Sequence, residues 1–186
     1  MKTKIIKTSF EGLLLLEIDY FQDTRGFFIE PWNRRDFHEA GFDEEFVQEG
    51  HSRSKKDVLR GLHYQDLTAP MGKLVRCTVG EVFEVAVDLR LSSKTFGKWY
   101  STKLSARNKM LLYVPVGFAL GFLTLSPYAE MQYKQTGYYT PSAEHTLLWN
   151  DAQIGVKWPV LSPPILSDRD TKGTSLQVYL QNPAFL

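Results

Sequence analysis

Between Glu81 and Arg90 the chain reads Glu-Val-Phe-Glu-Val-Ala-Val-Asp-Leu-Arg, so that Phe83, Val85, Val87 and Leu89 alternate with Glu84, Ala86, Asp88 and Arg90. A period of two sends successive side chains to opposite faces, which a strand can use and a helix cannot. Gly80 supplies a turn just before it. Strand-like runs recur over residues 3–7, 11–18, 26–32, 57–65, 73–79, 99–105, 110–114, 121–125 and 130–138. They are short, evenly spaced and separated by turn residues. That rhythm predicts an all-β antiparallel sandwich or barrel rather than strand–helix–strand units. One helix is expected, capped by Asn33, running over 34–40 and ended by Gly41. The segment 141–186 holds more than half of the nine prolines and reads as a wrapping tail with one short helix. No repeat or linker divides the chain, so residues 1–186 are read as a single domain.

A β-rich chain has edges to protect. The aromatic, charged stretch Arg25-Gly-Phe-Phe-Ile-Glu-Pro-Trp32 would be odd as a free edge. A second subunit would cover it, and a symmetric homodimer is expected.

A net charge of +1 gives no field that would draw nucleic acid or a membrane surface. No apolar run is long enough to span a bilayer, since Leu13–Leu16 is only four residues, and nothing resembles a signal peptide. A cytoplasmic protein is expected. The one cysteine, Cys77, cannot form an internal disulfide and reads as a buried thiol.

His63 lies in the strand-like run Val58-Leu-Arg-Gly-Leu-His-Tyr-Gln65, and Lys73 opens the next. A metal site would want converging ligands, commonly two histidines one residue apart. His38, His51, His63 and His145 form no such pair, so no metal is expected. Metal-free proton abstraction beside a ketone fits better. It needs a base, an orienting carboxylate and a cation at the enolate oxygen. His63 and Lys73 supply the first and last. Asp170 is a candidate orienter, although Ser167-Asp-Arg-Asp170 offers Asp168 as well. Tyr133 is a candidate proton donor. No Walker-type or dinucleotide glycine loop is present. Arg25, Arg60, Lys73 and Arg169 could grip a diphosphate if they converge. One difficulty is parity: in an unbroken strand Arg60 and His63 point to opposite faces. A bulge at Gly61 would reconcile them, as would service of one of them in a partner's site.

Several ordered motifs carry a resemblance. They are Asp23-Thr-Arg-Gly-Phe-Phe-Ile-Glu30, Phe46-Val-Gln48, His51-Ser-Arg-Ser54, Val58–Gln65, Pro70-Met-Gly-Lys-Leu-Val-Arg76, Val85–Arg90, Thr95-Phe-Gly-Lys-Trp99, Tyr113–Ala119, Trp149-Asn-Asp151 and Leu166–Asp170. Together they resemble the dTDP-4-dehydrorhamnose 3,5-epimerase family, cofactor-free epimerases of the cupin fold. The resemblance implies a cupin-type jelly-roll β-barrel, dimeric by exchange of N-terminal strands, acting on a nucleotide-linked 4-keto-6-deoxyhexose. It makes His63 the base with Asp170 behind it, Lys73 the enolate's partner and Tyr133 the acid on the other face. It assigns Arg25, Glu30, Gln48, Arg60 and Glu144 to the nucleotide diphosphate, with Arg169 where the family usually has lysine, and Tyr139 to stacking on the base. Two positions depart from the pattern. Leu120 stands where the family usually has histidine, and Gly50 where it usually has asparagine. Both remove a polar group from the pocket while the base, lysine and tyrosine remain. An active epimerase with altered substrate or regiochemistry is the expectation. A mono-epimerase or ketoisomerase on another nucleotide sugar, or a binding module without catalysis, are the rival readings.

Overall fold

The computed structural model describes residues 2–186. Two antiparallel sheets face one another. The first has six strands in the order β1 (Thr3–Lys7), β2 (Leu14–Ile18), β10 (Leu111–Val114), β7 (Lys73–Val79), β12 (Tyr128–Gln135) and β5 (Gln48–Lys55). The second has five: β13 (Glu144–Thr146), β6 (Leu59–Gln65), β11 (Phe118–Thr124), β8 (Glu81–Asp88) and β9 (Trp99–Ser105). This is the jelly-roll barrel. A separate two-stranded hairpin, β3 (Phe21–Asp23) and β4 (Gly26–Phe28), joins neither sheet.

Alternation within the strands divides the apolar side chains into three layers. Val75, Val82, Ala86, Leu112, Phe122 and Met131 point inward and fill the space between the sheets. Leu62, Val85, Val87, Leu123 and Leu147 point outward from the five-stranded sheet, where the tail covers them with Ile154, Trp158, Leu176, Tyr179 and Phe185. Leu16, Leu74, Leu111 and Tyr113 point outward from the six-stranded sheet beneath Phe37 and Phe42. Phe37 belongs to α1 (Arg34–Glu39), whose N-cap Asn33 accepts a hydrogen bond from the Arg35 N–H. Gly41 follows at φ +86, a left-handed turn that suits glycine.

Several family-like motifs turn out to brace loops. Asp88 is fully buried and accepts from Arg90, Ser93 and Thr95, fixing the loop after β8. Asp151 accepts from the N–H groups of Gln153, Ile154 and Leu176, pinning the tail. Cys77 is buried, and burial raises its thiol pKa to about 11.

Strand limits differ from expectation in places. β5 is a strand although its sequence carries no apolar alternation. The run 26–32 shrinks to Gly26–Phe28, and β11 begins three residues earlier than expected. The tail carries two short helices, α2 (Asp168–Thr171) and α3 (Leu176–Tyr179), rather than one.

Candidate active site

A cavity of about 170 Å³ lies within the barrel. Lys73 on β7, Tyr133 on β12 and Ser52 on β5 line it from the six-stranded sheet. Arg60 and His63 on β6, Leu120 and Phe122 on β11, and Glu84 on β8 line it from the five-stranded sheet. Arg169, from the tail, completes the wall.

Arg60 and His63 share this cavity because β6 is bulged. His63 pairs with Leu120 and Arg60 with Phe122, so three steps on β6 match two on β11. Gly61 takes up the extra residue at φ +120 and packs against Gly121. A side chain at Gly61 would put its Cβ 2.6 Å from the Gly121 Cα and 2.7 Å from the Leu120 carbonyl oxygen. The bulge therefore needs glycine, and it turns both functional side chains inward.

His63 donates from Nε2 to Asp170 Oδ1 at 2.5 Å. This bond sets the tautomer and leaves Nδ1 as the basic nitrogen. Asp170, only 2% exposed, sits in the first turn of α2, where the Ser167 hydroxyl caps the turn and donates to Oδ2 at 2.7 Å. Burial pushes the Asp170 carboxyl up, but bonds from His63 and Ser167 outweigh it and hold it below the ordinary range. Of the two aspartates the sequence offers, it is Asp170 that bonds to His63. Arg169 Nη2 stands 3.3 Å from His63 Nδ1 and 3.1 Å from Nε2. A nitrogen nearly equidistant from both cannot lie in the ring plane without striking the carbon between them, so the guanidinium overlies the ring. It also ion-pairs with Glu144.

Across the cavity the Tyr133 hydroxyl lies 2.7 Å from Ser52 Oγ. Burial raises the Tyr133 pKa strongly, keeping the phenol protonated as a proton donor requires. Burial lowers the pKa of Lys73, against the pull of Glu144 and Glu84. Glu84 is fully buried, and neither carboxyl oxygen has a hydrogen-bond partner. Burial raises its pKa to about 8, against the opposing pull of Lys73.

Around this centre, Gln48 accepts from the Tyr139 N–H at 2.9 Å, and the Tyr139 hydroxyl donates to Glu144 at 2.8 Å. Gly50 pairs with Tyr133, where a Cβ would touch the tyrosine ring at 3.8 Å. Arg60 is steadied by Ser54 at 2.9 Å. Arg25 and Glu30 do not line the cavity of their own chain. Arg25 sits on the β3–β4 hairpin, bonded to Asp23. Sequence reasoning missed Ser52 and Glu84. Ser52 lies inside the motif His51–Ser54, and Glu84 was visible only as the polar half of an alternating run.

A larger hollow of about 350 Å³ lies on the outer face of the six-stranded sheet, lined by Trp32, Glu49, Arg76 and Lys134 among others. No histidine or tyrosine lines it. Among the described residues, no three His, Cys, Asp or Glu side chains are grouped to hold a metal ion. No helix among them is long and apolar enough to cross a membrane.

The family model for dTDP-4-dehydrorhamnose 3,5-epimerase matches residues 7–178. The chain belongs to the dTDP-4-dehydrorhamnose 3,5-epimerase family. A family member from Salmonella typhimurium is 54% identical over 177 residues, covering 95% of this chain and 97% of the relative. Among solved members, the dTDP-6-deoxy-D-glucose-3,5-epimerase of Legionella pneumophila, in complex with dTDP-4-keto-L-rhamnose, superposes with a TM-score of 0.90 at 42% identity. That match covers 95% of this chain and 94% of the other. A 3'-monoepimerase of Streptomyces bikiniensis in complex with dTDP-quinovose superposes with a TM-score of 0.90 at 30% identity, covering 96% and 90%. Double and single epimerisation are therefore both found on this barrel, and membership makes the chain an isomerase of the racemase and epimerase class.

Proposed function

We propose that this chain epimerises a nucleotide-linked 4-keto-6-deoxyhexose at C3, C5 or both, a step in deoxysugar biosynthesis, without a cofactor. One observation carries the reading: His63 and Tyr133 approach the same cavity from opposite sheets. A sugar held between them can lose a proton from one face and regain one on the other, which is what inversion requires. The 4-ketone acidifies the hydrogens at C3 and C5. His63 Nδ1 takes one, and buried Asp170 stabilises the imidazolium that forms. The electron pair moves to the C4 oxygen as an enolate, which Lys73 stabilises. Tyr133 then protonates the carbon from the opposite side.

Arg60 and Arg169 supply positive charge for the diphosphate, and Gln48, Tyr139 and Glu144 form a linked rim for the nucleotide. Arg25 and Glu30 fit a different role. Their hairpin exposes Phe21, Phe27 and Phe28 at 71%, 58% and 62%, an apolar surface that a second copy would cover. In our reading the chain is a homodimer, and Arg25 and Glu30 of one subunit complete the cavity of the other. The reading also places the enzyme in the cytoplasm.

Leu120 faces the cavity and pairs across the sheet with His63. It offers the sugar no hydrogen bond, and we assign it a part in choosing which carbon inverts. The deciding experiment is proton NMR with dTDP-4-keto-6-deoxyglucose in D₂O. Loss of the C3 and C5 signals with an inverted product is expected from a double epimerase, and loss at one carbon from a mono-epimerase. No loss at either carbon overturns the reading and favours a binding module.

A further inference from the structure

Glu84 is the charged-type residue that the scheme above leaves without work. It lies mid-strand in β8, covered by the tail on one face of its sheet and by the barrel interior on the other. Its cross-strand neighbours are Phe122 on β11 and Thr102 on β9. It is 0% exposed, and among the described residues both carboxyl oxygens lack a hydrogen-bond partner and it makes no ion pair, yet it lines the cavity. An anion in that position would be desolvated without a hydrogen bond, with only the pull of Lys73 in return. A neutral carboxylic acid tolerates the site and keeps one unspent O–H. The groups around it fit. Lys73 from β7, Tyr133 from β12 and Arg60 from β6 line the same small cavity, and among them Lys73 acts on its charge most directly.

We propose that Glu84 is a catalytic residue: as a neutral acid it donates a second hydrogen bond to the substrate's C4 oxygen, beside the ammonium of Lys73. This rests on the epimerase reading and supplies what it lacks. One ammonium gives one hydrogen bond to an enolate oxygen that can accept two or three. A carboxyl held neutral by an apolar site can donate to such an oxygen and strengthens its bond as negative charge develops. No proton is transferred, so Glu84 ends each turnover as it began.

The placing of Lys73 and Glu84 on one cavity fits this role in another way. Both project inward and interact electrostatically, yet they form no direct ion pair. The oxygen of a bound substrate would fill the space between them.

The test uses the full-length protein in three forms: wild type, Glu84→Gln and Glu84→Ala. Infrared difference spectra, wild type minus Glu84→Gln with dTDP bound, should show the carbonyl band of a protonated carboxyl at pH 6. That band should vanish as pH rises through about 8. Its absence at pH 6 overturns the proposal and needs no turnover to be seen. In the NMR assay Glu84→Ala should lose about 10²-fold in kcat, with KM within about threefold because little enolate charge exists before the reaction. Glu84→Gln keeps an N–H donor and should retain at least a tenth of wild-type kcat. It should also lose the alkaline decline near pH 8 that is expected of the wild type. Equal kcat in all three forms, or an unchanged pH profile in Glu84→Gln, overturns the proposal. A wild type that exchanges neither proton overturns the epimerase reading instead, with the infrared result standing apart.

Discussion

His63 and Asp170 meet at 2.5 Å although they lie 107 positions apart in the chain. In the proposed mechanism the carboxylate does two things there: it fixes which imidazole nitrogen is basic, and it awaits the positive charge that proton abstraction creates. Asp170→Asn can still accept from Nε2 but carries no charge. Its kcat should fall on the order of 10²–10³-fold with KM little changed, whereas His63→Ala should lose epimerisation altogether while remaining folded. Steady-state kinetics and circular dichroism check both. Turnover of His63→Ala within tenfold of wild type would remove it as the base.

Tyr133→Phe should separate the two halves of the reaction. The base is intact, so solvent deuterium should still enter the substrate, while inverted product should form at least tenfold more slowly. NMR reads both from one sample. Equal losses in exchange and inversion would count against an acid role.

Leu120 is 6% exposed and pairs with His63 across the strand boundary. Leu120→His should alter the ratio of C3 to C5 exchange and cost about 1–3 kcal/mol of stability, because the apolar contacts Leu120 makes with the inward cluster are lost. Deuterium content at each carbon and thermal melts test the two effects separately. An unchanged ratio would leave Leu120 as packing alone.

Gly61→Ala should be severe. Its Cβ would collide with backbone atoms of β11, which cannot move aside as a flexible side chain could. A loss of about 3 kcal/mol or more is expected, visible as a lower denaturation midpoint. Stability near wild type would mean that the bulge tolerates another geometry.

Glu84 should also mark the pH dependence of stability. Folded, its pKa is raised to about 8 from an ordinary 4.5. Below the ordinary value both folded and unfolded carboxyls are protonated, and the site costs nothing. Between the two values only the unfolded chain releases its proton, so stability declines as pH rises and levels off above about 8. The total is on the order of a few kcal/mol. Glu84→Gln should therefore gain Tm relative to wild type as pH moves from 5 to 8. A difference that stays flat would show the buried acid to be ionised throughout.

The limits of β1, β7 and β9 were legible to the residue. β5 was not. Gln48, Gly50, Ser52 and Ser54 share its inward, cavity-facing side, while Glu49, His51, Arg53 and Lys55 face out. A strand at the rim of a polar cavity has no apolar side to announce it. β11 failed to alternate for the opposite reason, being buried on both faces along its whole length. His63 and Lys73 were readable from their strands. Ser52 and Glu84 were not, since polar residues in an alternating run ordinarily mark the solvent side, and here the barrel interior takes that side.

The placement of Asp170 has a consequence in time. The sheets that carry His63, Lys73 and Tyr133 are nearly all encoded before residue 136, whereas the carboxylate that governs the base arrives in the short α2 turn of the tail. A ribosome making this protein therefore synthesises the pocket first and its proton-handling partner last. For that interval the emerging polypeptide carries a histidine whose tautomer nothing yet dictates. In the proposed mechanism, chemical competence comes only when the tail has folded back.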